Sequence, residues 1–149
     1  MKNQKKYKKC SLAIIVIDKD KFLLQLRDDK QNIKDPNLWG LFGGSIKKNE
    51  KPIKALTREV EEEINIKVYK IKKFCKIFYK KDMMECYIYI ININKPRIKL
   101  NEGQDFGYFS FEKIISNKVF SKKTTNYHQV THTTLKAINK YYNIYYSKK

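Results

Sequence analysis

A mixed β-sheet held between helices, an α/β/α sandwich, is the fold class that this sequence predicts. Three observations carry the prediction. Apolar and β-branched runs of strand length lie on both sides of the chain's middle. Between them residues 51–64 show apolar groups at helical spacing, and a second amphipathic stretch closes the chain. With 149 residues, 42% of them hydrophobic, there is material for one domain with a proper core and too much apolar content for disorder. A single domain over residues 1–149 is therefore expected, with no linker or repeat.

The elements follow in order. Residues 1–9 are basic and are expected to form a flexible tail. Leu12 to Ile17 is an apolar run ended by Asp18-Lys19-Asp20, a turn leading to a second strand from Lys21 to Leu26. The first run is too short for a signal core and lacks a small-residue cleavage site. Arg27 stands where the second strand empties into the Asp28-Asp29 loop. Trp39 to Gly44 reads as one short buried strand ending in a double glycine, which lets backbone approach a ligand closely. Pro52, lacking an N–H where a helix needs none, starts a helix over Lys51 to Ile64, with Ile53, Leu56, Val60 and Ile64 on its apolar face. Asn65 tolerates the left-handed conformation that closes many helices. Strands are expected over Ile66 to Tyr79, Glu85 to Ile93 and Gly107 to Ser110, the second of them long and central. A small helical turn at Phe111 to Ile114 and a closing helix from Thr124 to about Tyr145, with Val130, Leu135, Ile138 and Tyr142 on one face, complete the chain.

Composition excludes some classes. No stretch is long enough to span a bilayer, so a soluble, cytoplasmic protein without membrane partners is expected, as monomer or homodimer. Cys10, Cys75 and Cys86 are odd in number and make no C-x-x-C pair, which favours reduced, packed thiols over zinc ligands or disulfides. His128 and His132 are four apart but have no acidic or cysteine partner nearby in sequence. The net charge of +18 invites a nucleic-acid reading. However, the basic residues are nearly all Lys, they scatter along the chain, and Ile, Asn and Tyr are equally abundant, as an AT-rich coding sequence would give.

Against that background Arg58-Glu59-Val60-Glu61-Glu62-Glu63 places four of fifteen acidic residues within five positions. On a helix Glu59, Glu62 and Glu63 share one face, where like charges repel and the C-terminal half disfavours carboxylates. A bound cation offsets that cost. The spacing back to Gly44 and Glu50 is specific: Gly44, five residues, Glu50, seven residues, Arg58-Glu59, an aliphatic residue, one residue, Glu62-Glu63, one residue, then Asn65 and Ile66. This pattern resembles the Nudix box, G-x5-E-x7-R-E-U-x-E-E-x-G-U with U aliphatic. It departs only at Asn65, where the family has glycine and where both residues serve a positive-φ cap. The likeness to small, MutT-like Nudix hydrolases extends loosely from Leu12 to Phe111.

The resemblance implies a loop–helix–loop holding Mg²⁺, or alternatively Mn²⁺, against a diphosphate. Glu59, Glu62 and Glu63 would be metal ligands with the backbone of Gly44, and Mg²⁺ prefers such oxygen donors shared with substrate phosphate. Glu50 and Arg58 would brace loop against helix, Arg suiting bidentate work, although a solvated Arg58 is the plainer alternative. For the general base the resemblance leaves Glu59 or Glu62 in the box and Glu102 in the Asn101-Glu102-Gly103 loop, which otherwise reads as an exposed turn. Arg27, Phe42 and Gly43 are candidate substrate contacts, Arg27 being equally readable as a surface residue.

The implied activity is Mg²⁺-dependent hydrolysis of a nucleoside diphosphate linked to another group. A small-molecule nucleoside triphosphate, cleaved as by an 8-oxo-dGTP diphosphatase, leads. Nucleotide sugars, ADP-ribose and 5′-triphosphorylated RNA ends are alternatives, as is a non-catalytic nucleotide-binding Nudix module.

Overall fold

The computed structural model describes residues 7–94 and 96–146. A seven-stranded mixed sheet forms the middle of the molecule. It is built from β1 (Lys8–Ile17), β2 (Lys21–Leu26), β3 (Trp39–Gly40), β4 (Phe42–Ser45), β5 (Lys72–Tyr79), β6 (Met84–Ile93) and β7 (Asp105–Phe109). Helices α1 (Pro52–Ile64), α2 (Phe111–Ile115) and α3 (His132–Tyr145) cover it, and a two-stranded hairpin, β8 (Val119–Ser121) and β9 (Asn126–His128), lies apart. The α/β/α expectation holds.

Strand alternation explains the two cores. In β1, Ile14 and Val16 turn to one face with Ile88 and Ile90 of β6 and with Ala137, Ile138 and Tyr141 of α3. Ala13, Ile15 and Ile17 turn to the other, with Phe42, Leu56, Val60 and Ile64. A period of two can feed both faces only because each is covered by a helix. A fully buried aliphatic or aromatic side chain contributes about 1.5–3 kcal/mol, and twelve large side chains here are essentially inaccessible.

The topology around β1 makes the cleft. Along its whole length β1 pairs in parallel with β6, from Lys8↔Met84 to Ile17↔Ile93. Its other edge is shared: Cys10 to Ala13 pair with β4, and Ile15 to Ile17 with β2. β3 meanwhile pairs with the far end of β2, through Gln25↔Gly40 and Leu26↔Trp39. The sheet therefore forks, and Leu41 sits at the fork.

Several boundaries differ from expectation. Lys8 and Lys9, read as tail, belong to β1, while residues 1–6 of that tail lie outside the described residues. The single strand expected over Trp39 to Gly44 is two, because Leu41 leaves the ladder; its N–H goes to Thr134 Oγ1 at 3.1 Å and its carbonyl accepts from Gln25 Nε2 at 3.2 Å. Residues 66–71 are not strand, since β6 finds its first partner in β5 only at Lys72, opposite Ile90. Ile53 is exposed, and Ala55 is the residue buried in the first turn of α1. The closing helix is shorter than expected. Thr131 caps it by accepting from Thr134 N, residues before it form the β8–β9 hairpin, and Tyr141 rather than Tyr142 enters the core, Tyr142 stacking on Phe111 instead. Alternating Thr, Asn and Tyr gave no periodic signal to separate hairpin from helix. Among the described residues no helix is long and apolar enough to cross a membrane.

Candidate active site

α1 starts on Pro52 and stops on Asn65, whose left-handed backbone (φ 59°, ψ 36°) returns an N–H to Glu61 O at 2.9 Å. Asn thus fills the glycine position with the conformation that glycine supplies elsewhere. Ser11 of β1 donates its hydroxyl to Pro52 O at 2.7 Å, and Leu56, Val60 and Ile64 pack the helix onto the sheet. These anchors fix which carboxylate points where.

Glu63 points inward. It is 3% exposed, with Oε1 accepting from Gly43 N at 2.9 Å and Oε2 accepting from Gln25 Nε2 at 2.8 Å. Burial pushes its carboxyl up from 4.5 to about 8; Glu59 and Glu102 add to the rise, and the Gly43 and Gln25 donors oppose it. Glu59 lies against Gly44 so closely that a Cβ there would sit 2.5 Å from its carboxylate carbon. Only glycine leaves that space.

Arg58 joins the remaining carboxylates. Its Nε and Nη2 grip Glu50 at 2.9 Å each, Nη2 also reaches Ser45 O at 3.1 Å, and Nη1 bonds Glu59 at 2.8 Å and Glu62 at 3.5 Å. The fork geometry ties the loop after β4 to the helix. The guanidinium holds the Glu50 carboxyl down to about 2, helped by the Lys47 N–H, and Arg58 itself is raised. Glu62 is the half-exposed member of the face, and Glu61 is solvated.

The loop carrying Glu102 lies over the end of α1. Asn101 donates its backbone N–H to Glu63 O at 2.8 Å and its side-chain amide to Glu62 O at 3.0 Å. Gly103, at φ 95°, lets this loop approach Leu26 O, where a Cβ would come within 2.9 Å. Glu102 is exposed, yet its charge reaches Glu63.

The proposed substrate contacts separate. Arg27 donates Nε to Lys34 O at 2.9 Å and lines a cavity of about 180 Å³ with Cys10, Lys34, Leu41, Cys86 and Thr134. Phe42 is not available to substrate: it is fully buried among Leu56, Val60 and Ile64, because strand alternation turns it under α1. Gly43 serves through backbone alone. Its N–H is taken by Glu63, and at φ 136° a Cβ would strike Ser11 O at 2.0 Å. A larger cavity, about 570 Å³, lies between β7 and the β8–β9 hairpin, lined by Lys113, Lys118, Lys122, Tyr108, Phe120 and Tyr127. His128 bonds Asn37 O and Thr124 Oγ1, and His132 packs edge-on to Tyr79, so the two histidines do not meet over a shared ligand.

The family profile of the NUDIX domain matches residues 8–129. The chain belongs to the Nudix family. A relative, the 8-oxo-dGTP diphosphatase of Buchnera aphidicola subsp. Schizaphis graminum, is 34% identical over 107 residues, covering 65% of this chain and 79% of that protein. Among solved structures, the MutT Nudix hydrolase from Burkholderia pseudomallei aligns with a TM-score of 0.71 at 20% identity, over 91% of this chain and 98% of its own. The NUDIX domain of Shewanella oneidensis NrtR, crystallised with ADP ribose, aligns with a TM-score of 0.73 at 16% identity, over 96% and 91%. At those identities the structures speak for the fold, and the family match makes this chain a hydrolase of phosphorus-containing acid anhydrides.

Nudix hydrolases generally use divalent metal. Among the described residues no three His, Cys, Asp or Glu groups already converge as a cage: Arg58 stands between Glu59 and Glu62, and Glu63 faces Gly43 and Gln25. The donors nevertheless suit a hard cation, being carboxylate oxygens beside a glycine whose missing Cβ keeps their space open. Sequence reasoning missed Gln25, Asn101 and Thr134, which position this Nudix box. Gln25 had a signal, as the one polar residue within Phe22-Leu23-Leu24-Gln25-Leu26.

Proposed function

We propose that this Nudix hydrolase cleaves a nucleoside triphosphate between its α- and β-phosphates, in the manner of an 8-oxo-dGTP diphosphatase, releasing a nucleoside monophosphate and pyrophosphate. The observation that carries the reading is the carboxylate face of α1, Glu59, Glu62 and Glu63, closed by Gly44 against Glu59. The name of the 34%-identical relative supports the substrate class.

Mg²⁺, with Mn²⁺ as the alternative, would be held by Glu59, Glu62, Glu63 and the backbone of Gly44. When bound it supplies charge neutralisation of the phosphates and a lowered pKa for water. The chain's own residues do the rest. Glu50 and Arg58 hold loop to helix, while Gln25 and Gly43 aim Glu63. Glu59 is committed to Arg58 and Glu63 to two N–H donors. Glu62, half exposed and held by Arg58 only at 3.5 Å, is therefore the favoured base, with Glu102, on the loop over the end of α1, as the second candidate. The base takes a proton from water as its oxygen attacks phosphorus and the bond to pyrophosphate breaks. Arg27, which borders the smaller cavity, would meet phosphate or base there.

The test is a nucleotide panel with Mg²⁺ or Mn²⁺: 8-oxo-dGTP, the ordinary triphosphates, ADP-ribose and nucleotide sugars. Turnover of triphosphates to monophosphates, abolished by Glu62→Gln in a folded protein, supports the reading. Exclusive turnover of ADP-ribose or a nucleotide sugar refutes it.

A second reading rests on the larger cavity. Exposed Tyr108, Phe120 and Tyr127 with Lys113, Lys118 and Lys122 line a groove beginning where the Glu102 loop becomes β7. Stacking rings and cations suit single-stranded nucleic acid. Preference for 5′-triphosphorylated RNA over free triphosphate would favour this reading, and Lys118→Glu should then weaken RNA alone.

A further inference from the structure

The parallel register of β1 and β6 sets Cys10 directly beside Cys86. Neighbouring strands lie about 4.7–4.9 Å apart, inside the Cα separation that a disulfide spans. Both side chains turn to the α3 face, and their sulfurs are 3.0 Å apart. The pair is not sealed in the core. Cys86 is inaccessible at the surface, but both thiols line the cavity shared with Arg27, Lys34 and Thr134, and Cys10 is only half-buried. The two thiols are coupled, the S–H of Cys10 being donated to Cys86 so that one proton can serve both sulfurs, and the Lys34 charge favours a thiolate at either.

We propose that Cys10 and Cys86 form a redox-modification site on the wall of this cavity, closing to an intrachain disulfide on exposure to a peroxide and reopening with a thiol reductant. With the shared proton on Cys86, the half-buried Cys10 sulfur attacks one peroxide oxygen as thiolate, the O–O bond breaks, and a Cys10 sulfenic acid and hydroxide result. The Cys86 sulfur then attacks the Cys10 sulfur, the S–O bond breaks, and the Cys86 proton and the departing hydroxyl leave as water. The two thiols are oxidised by two electrons and the peroxide is reduced by two. Resting on the proposed function, the link alters the cavity beside Arg27 and so acts on nucleotide affinity.

The experiment treats the full chain with hydrogen peroxide and follows thiols, mass and kinetics. Expected are the loss of two of the three thiols, a mass lower by two hydrogens, a peptide joining Cys10 to Cys86, and full reversal by dithiothreitol. Cys75→Ser should behave as wild type; Cys10→Ser and Cys86→Ser should not cross-link. If Cys86→Ser fails to fold, Cys10→Ser alone answers the question. A link through Cys75, an intermolecular dimer, or oxygen addition without cross-linking overturns the site. For catalysis, KM should rise at least threefold on oxidation with kcat little changed, and should stay constant in Cys10→Ser after the same treatment. A disulfide that leaves KM unchanged overturns the coupling to the cavity. The mass readout stands whether or not a nucleotide is the substrate.

Discussion

Gln25 Nε2 donates to Glu63 Oε2 across 2.8 Å, joining the far end of β2 to the last turn of α1 inside the core. The same amide also reaches Leu41 O, so one side chain serves both the fork of the sheet and the buried carboxylate. Replacing it with Leu removes both donations. A buried oxygen left without its donor costs about 1–3 kcal/mol, so Gln25→Leu should lower the urea-unfolding free energy by that order. It should also cut kcat/KM more than tenfold, because Glu63 loses its aim.

Glu63 predicts a pH-dependent stability. Its carboxyl titrates near 4.5 when unfolded and at about 8 when folded. Between those values the folded state holds a proton that the unfolded state lacks. The contribution is therefore fully present below 4.5 and is lost as pH rises towards 8, on the order of a few kcal/mol in total. Metal-free protein should melt lower at pH 8 than at pH 5.5, and Glu63→Gln should flatten that trend. Mg²⁺ favours the ionised carboxylate, so its stabilisation should be larger at pH 8, as thermal scans with and without the ion would show.

Glu50 predicts the opposite sense at acid pH. Arg58 holds its carboxyl at about 2, below the ordinary 4.5, so that its stabilisation is present above 4.5 and fades as pH falls through 2. Arg58→Lys, which cannot make the two-pronged grip, should be less stable than wild type at pH 7 and nearly equal to it at pH 2. Denaturant midpoints at the two pH values test this.

The two glycines of the box should fail differently. At Gly43 a Cβ meets backbone, Ser11 O at 2.0 Å, so Gly43→Ala should destabilise the whole fold. At Gly44 it meets the flexible end of Glu59, at 2.5 Å, so Gly44→Ala should fold and yet lose at least tenfold in kcat by displacing that carboxylate. Circular dichroism with turnover separates the cases.

Phe42→Ala should destabilise by about 3–5 kcal/mol, as for a large aromatic removed from a close-packed core, while KM for the nucleotide stays within twofold in whatever protein folds. A selective loss of affinity would instead return Phe42 to the substrate.

Much of this was legible from spacing. The Gly44 to Ile66 pattern located α1, its Pro52 start and its Asn65 stop, because charge placement and capping are local properties. Phe42 could not be separated from Gly43 in the sequence, and it is β4 that turns the Phe42 side chain under α1 while Gly43 meets Glu63 through its backbone. The β8–β9 hairpin escaped because its Thr, Asn and Tyr residues carry no apolar period, and Thr131 marked the helix start more faintly than Pro52 did. Gln25, Asn101 and Thr134 position the site through partners 38, 39 and 93 residues away. No local pattern encodes such pairings, since only the packing of strand, loop and helix in the finished fold brings them together.

The fork at Leu41 lets one short segment serve two masters. Trp39 and Gly40 run with β2 towards the cap of α3, Trp39 O accepting from Thr131 N at 2.8 Å, while Phe42 to Ser45 run with β1 beneath α1. Arg27, Gly40 and Thr131 on the cavity wall thus hang from the first arm, and the packing surface of α1 from the second. Substitutions around Thr131 and Lys34 should therefore reshape the cavity while Glu59 and Glu63 stay in place, so that under the proposed function one phosphoanhydride could replace another against the same cutting edge.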